Sequence, residues 1–100
     1  MRIESIEFHH EATAEYDAAF DWYLERSADA AIEFDAEVDR ALAQIIASPR
    51  RWAAGPFSTR RFLLRRFPFT LIYRELALGN VQIVAVAHTS RKPGYWKRRM

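Results

Sequence analysis

Two arginine pairs, Arg60-Arg61 and Arg65-Arg66, and a closing run of cations and aromatics are the residues best equipped for chemistry or recognition. A guanidinium grips phosphate or carboxylate through paired hydrogen bonds. Neighbouring strand residues point to opposite faces, however, so at most half of these arginines can share a surface. In the closing run, Arg91, Lys92, Tyr95, Trp96, Lys97, Arg98 and Arg99 combine aromatic anchors with cations, the mixture favoured at binding hot spots. The other use of Tyr95 and Trp96 is simply to pack the terminus onto a sheet. His88 has the imidazole solution pKa of about 6.5 that suits proton transfer, yet a histidine at a strand end is more often a hydrogen-bonded structural residue. His9 and His10 are adjacent and would face opposite ways in a strand, so no metal site is expected, and nothing in the chain asks for a cofactor.

Charge is distributed unevenly around these groups. Residues 1–49 hold three arginines against twelve acids, net −9, whereas residues 50–100 hold twelve Arg or Lys against Glu75 alone, net +11. A basic half of this density attracts phosphate backbones or an acidic protein segment, with affinity that falls as salt rises. The chain has no cysteine, which excludes disulfides, thiolate nucleophiles and cysteine-bound zinc. No apolar run approaches the roughly 20 residues that span a bilayer, and Met1-Arg2-Ile3-Glu4 lacks a signal-peptide pattern. The expectation is a cytoplasmic protein without a membrane segment, folded as one domain over residues 1–100.

Positioning these residues requires several elements. Arg2 to Phe8, with Ile3, Ile6 and Phe8, reads as a first strand. From Glu11 to Arg26, Ala12, Tyr16, Ala19, Phe20, Tyr23 and Leu24 recur at helical spacing, with Glu15, Asp17, Asp21 and Glu25 on the remainder. Ser27 and Asp29 signal a second helix whose stripe is Ala31, Phe34, Val38, Leu42 and Ile45, and Pro49 stops it near Ser48. Tyr16, Phe20, Tyr23 and Phe34 are core aromatics by this spacing. Arg50 to Thr59, with Gly55 and Pro56, reads as a loop. Arg60 to Phe67, Phe69 to Glu75 and Val81 to His88 then read as three strands with turns at Pro68 and at Gly79-Asn80. The fold class is therefore α+β: an N-terminal strand, an antiparallel helical hairpin and a three-stranded antiparallel meander. The helices cover one sheet face, and arginines line the other.

The run Arg61-Phe62-Leu63-Leu64-Arg65-Arg66-Phe67-Pro68-Phe69, then Ile72-Tyr73-Arg74, then Ala85-Val86-Ala87-His88 and Arg91-Lys92-Pro93-Gly94-Tyr95-Trp96 resembles the ParE branch of the ParE/RelE toxin superfamily. Asp21-Trp22-Tyr23 in helix one, and Ser48-Pro49 followed by Arg51-Trp52, are similar to the same branch. The resemblance covers nearly the whole chain. It implies the toxin of a type II toxin–antitoxin pair, neutralised by a cognate antitoxin with an acidic C-terminal segment. Antitoxin contact is expected at Trp22, Tyr23, Arg65 and Arg74. ParE-type members resemble protein-binding poisons of DNA gyrase, which implies target contact through Arg91, Lys92, Tyr95 and Trp96 and no enzymatic step. RelE-type members cleave messenger RNA on the ribosome; for that alternative the matching residues are Arg61, Arg65, His88, Arg91 and Tyr95. Two catalytic positions of that pattern fall on Thr70 and Thr89, so an inactive antitoxin-binding module is a third reading.

Overall fold

Ser27 alone separates the two helices of this protein and closes both. Its backbone N–H continues the first helix by donating to Tyr23 O, and its hydroxyl accepts from Ala30 N–H at 3.2 Å to start the second. In the computed structural model, which describes residues 5–100, α1 spans His10–Arg26 and α2 spans Ala28–Ala47. Tyr16 donates its hydroxyl to Asp35, and the rings of Tyr16 and Tyr23 lie 5.5 and 5.3 Å from that of Phe34, so one aromatic row holds the hairpin together. Pro49 ends α2, and its carbonyl accepts the buried Tyr73 hydroxyl at 2.5 Å.

Five strands form one sheet in the order β1-β5-β4-β3-β2. These are β1 (Ser5–Phe8), β2 (Ala53–Ala54), β3 (Arg60–Leu63), β4 (Phe69–Glu75) and β5 (Asn80–His88). β1 runs parallel to β5, and β2 to β5 form antiparallel neighbours. Alternation sets the two faces, interrupted in β5 by a register shift opposite Ile72 and Tyr73 that turns both Val84 and Ala85 to the same side. Phe62, Leu71 and Val86 align across three strands and face the helices, packing with Phe34, Val38, Ala41 and Ile45 of α2 and with Ala12 and Ala19 of α1. Ile72, Val84, Ala85 and Ala87 face the other way.

Four details differ from the sequence reading. The second face is not left open, because Trp96 and Tyr95 pack on its centre. β3 stops at Leu63 rather than Phe67: the N–H groups of Arg65 and Arg66 donate to the buried Glu37 carboxylate of α2, at 2.5 and 3.1 Å, instead of to a strand. Within the expected loop, Ala53 and Ala54 pair with Arg61 and Arg60 as a short edge strand. A short 3-10 turn, Ala77–Gly79, joins β4 to β5. Arg2 to Glu4 of the expected first strand lie outside the described residues.

Candidate functional site

β1 ends at Phe8 because α1 begins immediately beyond it, and this leaves the outer edge of β5 without a strand partner past Ile83. Exposed strand edges need their N–H and C=O groups satisfied or covered. Here α1 and the closing segment do so together. Val86 N–H donates to Glu15 Oε1 of α1 at 2.9 Å, and Val84 C=O accepts from Arg99 Nη1 at 3.0 Å. Arg99 grips Glu15 with two hydrogen bonds, of 2.8 and 3.0 Å, and the Tyr95 hydroxyl donates to Glu15 Oε2 at 2.5 Å. Burial pushes the Glu15 carboxyl up, but the hydrogen bonds from Arg99, Tyr95 and Val86 together outweigh it and hold the group below its ordinary value. Burial and the Glu15 hydrogen bond raise the Tyr95 phenol well above its ordinary value. Trp96, 4% exposed, completes the latch against Ile72, Val84, Ala85 and Ala87.

Two depressions flank the latch. An apolar groove of about 430 Å³ runs between Ala18, Ala19, Trp22 and Tyr23 of α1 and Phe69, Val86 and His88 of the sheet, with Arg91 at its mouth. Trp22 is 51% exposed in this wall, with the Arg26 guanidinium 3.5 Å from its ring centroid. On the helix-free face lies a cleft of about 250 Å³, with Arg61 on one side and Arg91 and Lys92 on the other. Thr70 and Thr89 also line it.

The family model for the ParE toxin of type II toxin–antitoxin system, parDE, matches residues 6–93. The chain belongs to the ParE toxin family. The toxin also shares its fold with a solved chain described as the chromosomal ParDE toxin–antitoxin system from P. aeruginosa, at 20% identity and a TM-score of 0.71, covering 84% of this chain and 94% of that one. No curated protein sequence matches it. As a member of a toxin–antitoxin system, the toxin has an antitoxin partner. No helix among its described residues is long and apolar enough to cross a membrane.

The toxin's structure divides the residues singled out in its sequence. Of the set matching the ribonuclease pattern, Arg61, His88, Arg91 and Tyr95 meet around the cleft, while Arg65 lies in a separate depression with Arg40 and Gln44 of α2. The Tyr95 hydroxyl donates to Glu15, and His88 Nδ1 accepts from Ser90 N–H at 3.0 Å. Of the target-contact set, Arg91 and Lys92 are exposed, Tyr95 is half-buried and Trp96 is buried. Of the antitoxin set, Trp22 and Tyr23 share the apolar groove, Arg65 lies beside α2, and Arg74 bonds Gln82 Oε1 at 2.9 Å on a third patch.

His9 and His10 are not strand residues. His9 caps α1, its Nδ1 accepting from Glu11 N–H at 3.1 Å, and the two rings stack 4.3 Å apart, so alternation does not separate them. With Glu11 they place three ligand-type atoms within 4.8 Å of one another, although His9 Nδ1 is engaged as the helix cap and the helix start repels cations. Sequence reasoning missed Glu15, Ala18, Ala19 and Phe69. A signal existed, because Ala12, Glu15, Ala19 and Trp22 follow one another at helical spacing and so share a face.

Proposed function

We propose that this ParE toxin arrests growth by binding DNA gyrase in the cytoplasm, and that its antitoxin silences it by laying an acidic, amphipathic segment into the Trp22 groove. The carrying observation is the shared position of Arg91, which lies at the mouth of the apolar groove and also on the exposed terminal segment. A segment that folds on binding needs an apolar trench for its anchors and cations at the rim for its acids. The groove offers Ala18, Ala19, Trp22 and Tyr23 as the trench and Arg91 as the rim.

Further along the wrap, Arg65 and Arg74 suit acidic residues, since neither guanidinium has a carboxylate oxygen within 4.0 Å among the described residues. Beside Arg65, the buried Trp52 indole N–H has no acceptor among them either. For gyrase contact, Arg91 and Lys92 are the exposed pair, and Tyr95 and Trp96 serve by holding them in place. The toxin then works without a chemical step. Tyr95 keeps its proton against a carboxylate, which argues against its use as a general base or acid for RNA cleavage.

A gyrase supercoiling assay tests this reading. Arg91→Ala with Lys92→Ala should raise the half-inhibiting toxin concentration at least tenfold, and antitoxin should relieve inhibition by the unaltered toxin. Unchanged inhibition by the double variant would exclude the terminal cations as the contact.

A further inference from the structure

The cleft on the helix-free face holds a set of cations that the fold leaves unneutralised. Elsewhere some guanidiniums pair with acids, Arg50 with Glu75, Arg66 with Glu33 and Glu37, and Arg99 with Glu11 and Glu15, while Arg65 and Arg74 stand apart from one another on other patches. Around the cleft, no Asp or Glu stands among the lining residues, and Arg61, Arg91 and Lys92 have no carboxylate within 4.0 Å among the described residues. One of the cations bordering it is oriented: the Arg91 guanidinium lies 3.8 Å from the centroid of the Tyr95 ring, which Glu15 fixes from below.

A second observation points the same way. The loop bordering the cleft between β2 and β3 turns through Phe57 and Ser58, whose φ values are 60° and 58°. Such left-handed positions at the centre of a hairpin turn are ordinarily given to Asn or Gly, and a bulky residue there costs about 1–3 kcal/mol. The turn is closed by Gly55 N–H to Thr59 C=O at 2.8 Å and by the Thr59 hydroxyl to Pro56 C=O at 2.6 Å. Its effect is to hold Phe57 outward, 58% exposed, with its ring edge-on to Trp96 at 6.1 Å. An aromatic raised into solvent beside uncompensated cations is the arrangement that binds a single strand: phosphates follow the cations and a base stacks on the ring.

We propose that this cleft binds single-stranded nucleic acid, with the backbone along Arg61, Arg91 and Lys92 and a base on Phe57. An acidic peptide would satisfy the cations but would gain only apolar contact from the exposed ring, whereas a base also stacks on its face. The contacts are to phosphate and to a π face, so DNA and RNA bind alike and sequence matters little. This does not depend on the gyrase reading, because it concerns the toxin alone.

Fluorescence anisotropy on the full-length toxin with fluorescein-labelled dT12, rU12 and a polyglutamate of the same length tests it. The two oligonucleotides should bind within a few-fold of each other and at least tenfold more tightly than polyglutamate. Three neutralised phosphates predict a slope of about −2 for log affinity against log salt. Phe57→Ala should weaken dT12 binding at least roughly fivefold, and Arg61→Ala should flatten the salt slope by about 0.7. Arg51→Ala, which removes one charge outside the cleft, should change affinity less than about twofold. Absence of oligonucleotide binding at low salt, polyglutamate binding as tight as dT12, or indifference to Phe57→Ala in a protein of unchanged melting temperature would each overturn the proposal.

Discussion

Replacing Glu15 by glutamine should loosen the whole closing segment. The carboxylate is the common acceptor for the Arg99 guanidinium, the Tyr95 hydroxyl and Val86 N–H, and its side chain and that of Arg99 are only 17% and 10% exposed. Glutamine keeps the shape and one acceptor oxygen, but it removes the charge and turns an N–H donor toward other donors. Hydrogen bonds to a charged group contribute about 1.5–3 kcal/mol, and breaking a fully buried ion pair costs about 3–5 kcal/mol. Partial exposure of both groups places the loss at about 2–3 kcal/mol. For a domain of this size that lowers Tm by roughly 10–20 °C.

The pH dependence provides a second, signed readout. The folded-state pKa of Glu15 lies below the ordinary 4.5, so the stabilisation is fully present above that pH and disappears as pH falls through the folded pKa. The gap between the toxin and the Glu15→Gln variant should therefore be widest near neutral pH and should close below about pH 4.5. Thermal unfolding followed by circular dichroism from pH 3 to 8 measures both. A Tm change of less than about 3 °C at pH 7, or a gap that widens on acidification, would refute the reasoning.

Trp22→Ala should weaken antitoxin binding by roughly 30-fold in calorimetry, the scale of an interface hot spot, while leaving Tm nearly unchanged because the side chain is half exposed. Tyr73→Phe removes the hydroxyl that satisfies Pro49 C=O inside the core and should cost about 1–2 kcal/mol in urea unfolding, with no effect on antitoxin affinity. Raising salt from 50 to 300 mM should weaken the antitoxin complex of the unaltered toxin, and Arg65→Glu with Arg74→Glu should weaken it further at low salt. Deleting residues 91–100 should lower Tm sharply rather than leave a sound fold, since it strips Tyr95, Trp96 and Arg99 from Glu15 and from the second sheet face.

Much of the architecture was legible because periodicity reports burial directly. The stripe Ala31, Phe34, Val38, Ile45 in α2 and the alternation through Phe69 to Glu75 match the faces that the structure buries. Strict alternation through Val81 to His88 fails, because a register shift opposite Ile72 and Tyr73 puts Val84 and Ala85 on one face and returns Val86 to the face of Val81 and Ile83. What stayed hidden depends on contacts distant in sequence. Glu37 ends β3 from 28 residues away, and Glu15 closes the edge of β5 from 71 residues away, and neither glutamate differs in type from its exposed helical neighbours. A two-residue strand such as Ala53–Ala54 is too short to show a period. The linings of the groove and cleft were half legible: the resemblance marked Trp22 and Tyr23, and the cation-aromatic closing run marked Arg91 and Lys92, but only packing distinguishes Trp96, which is buried, from Phe57, which is exposed. The backbone conformation that presents Phe57 has no signature in its residue type.

The most direct measurement mixes the purified toxin with gyrase, ATP and supercoiled plasmid, then quantifies double-strand breaks after the enzyme is denatured, with and without antitoxin. Accumulating linear DNA that antitoxin suppresses, and that Trp22→Ala toxin still produces but antitoxin relieves poorly, is the predicted result. No linear DNA above the toxin-free control, from toxin shown to be folded by its thermal transition, would contradict the account.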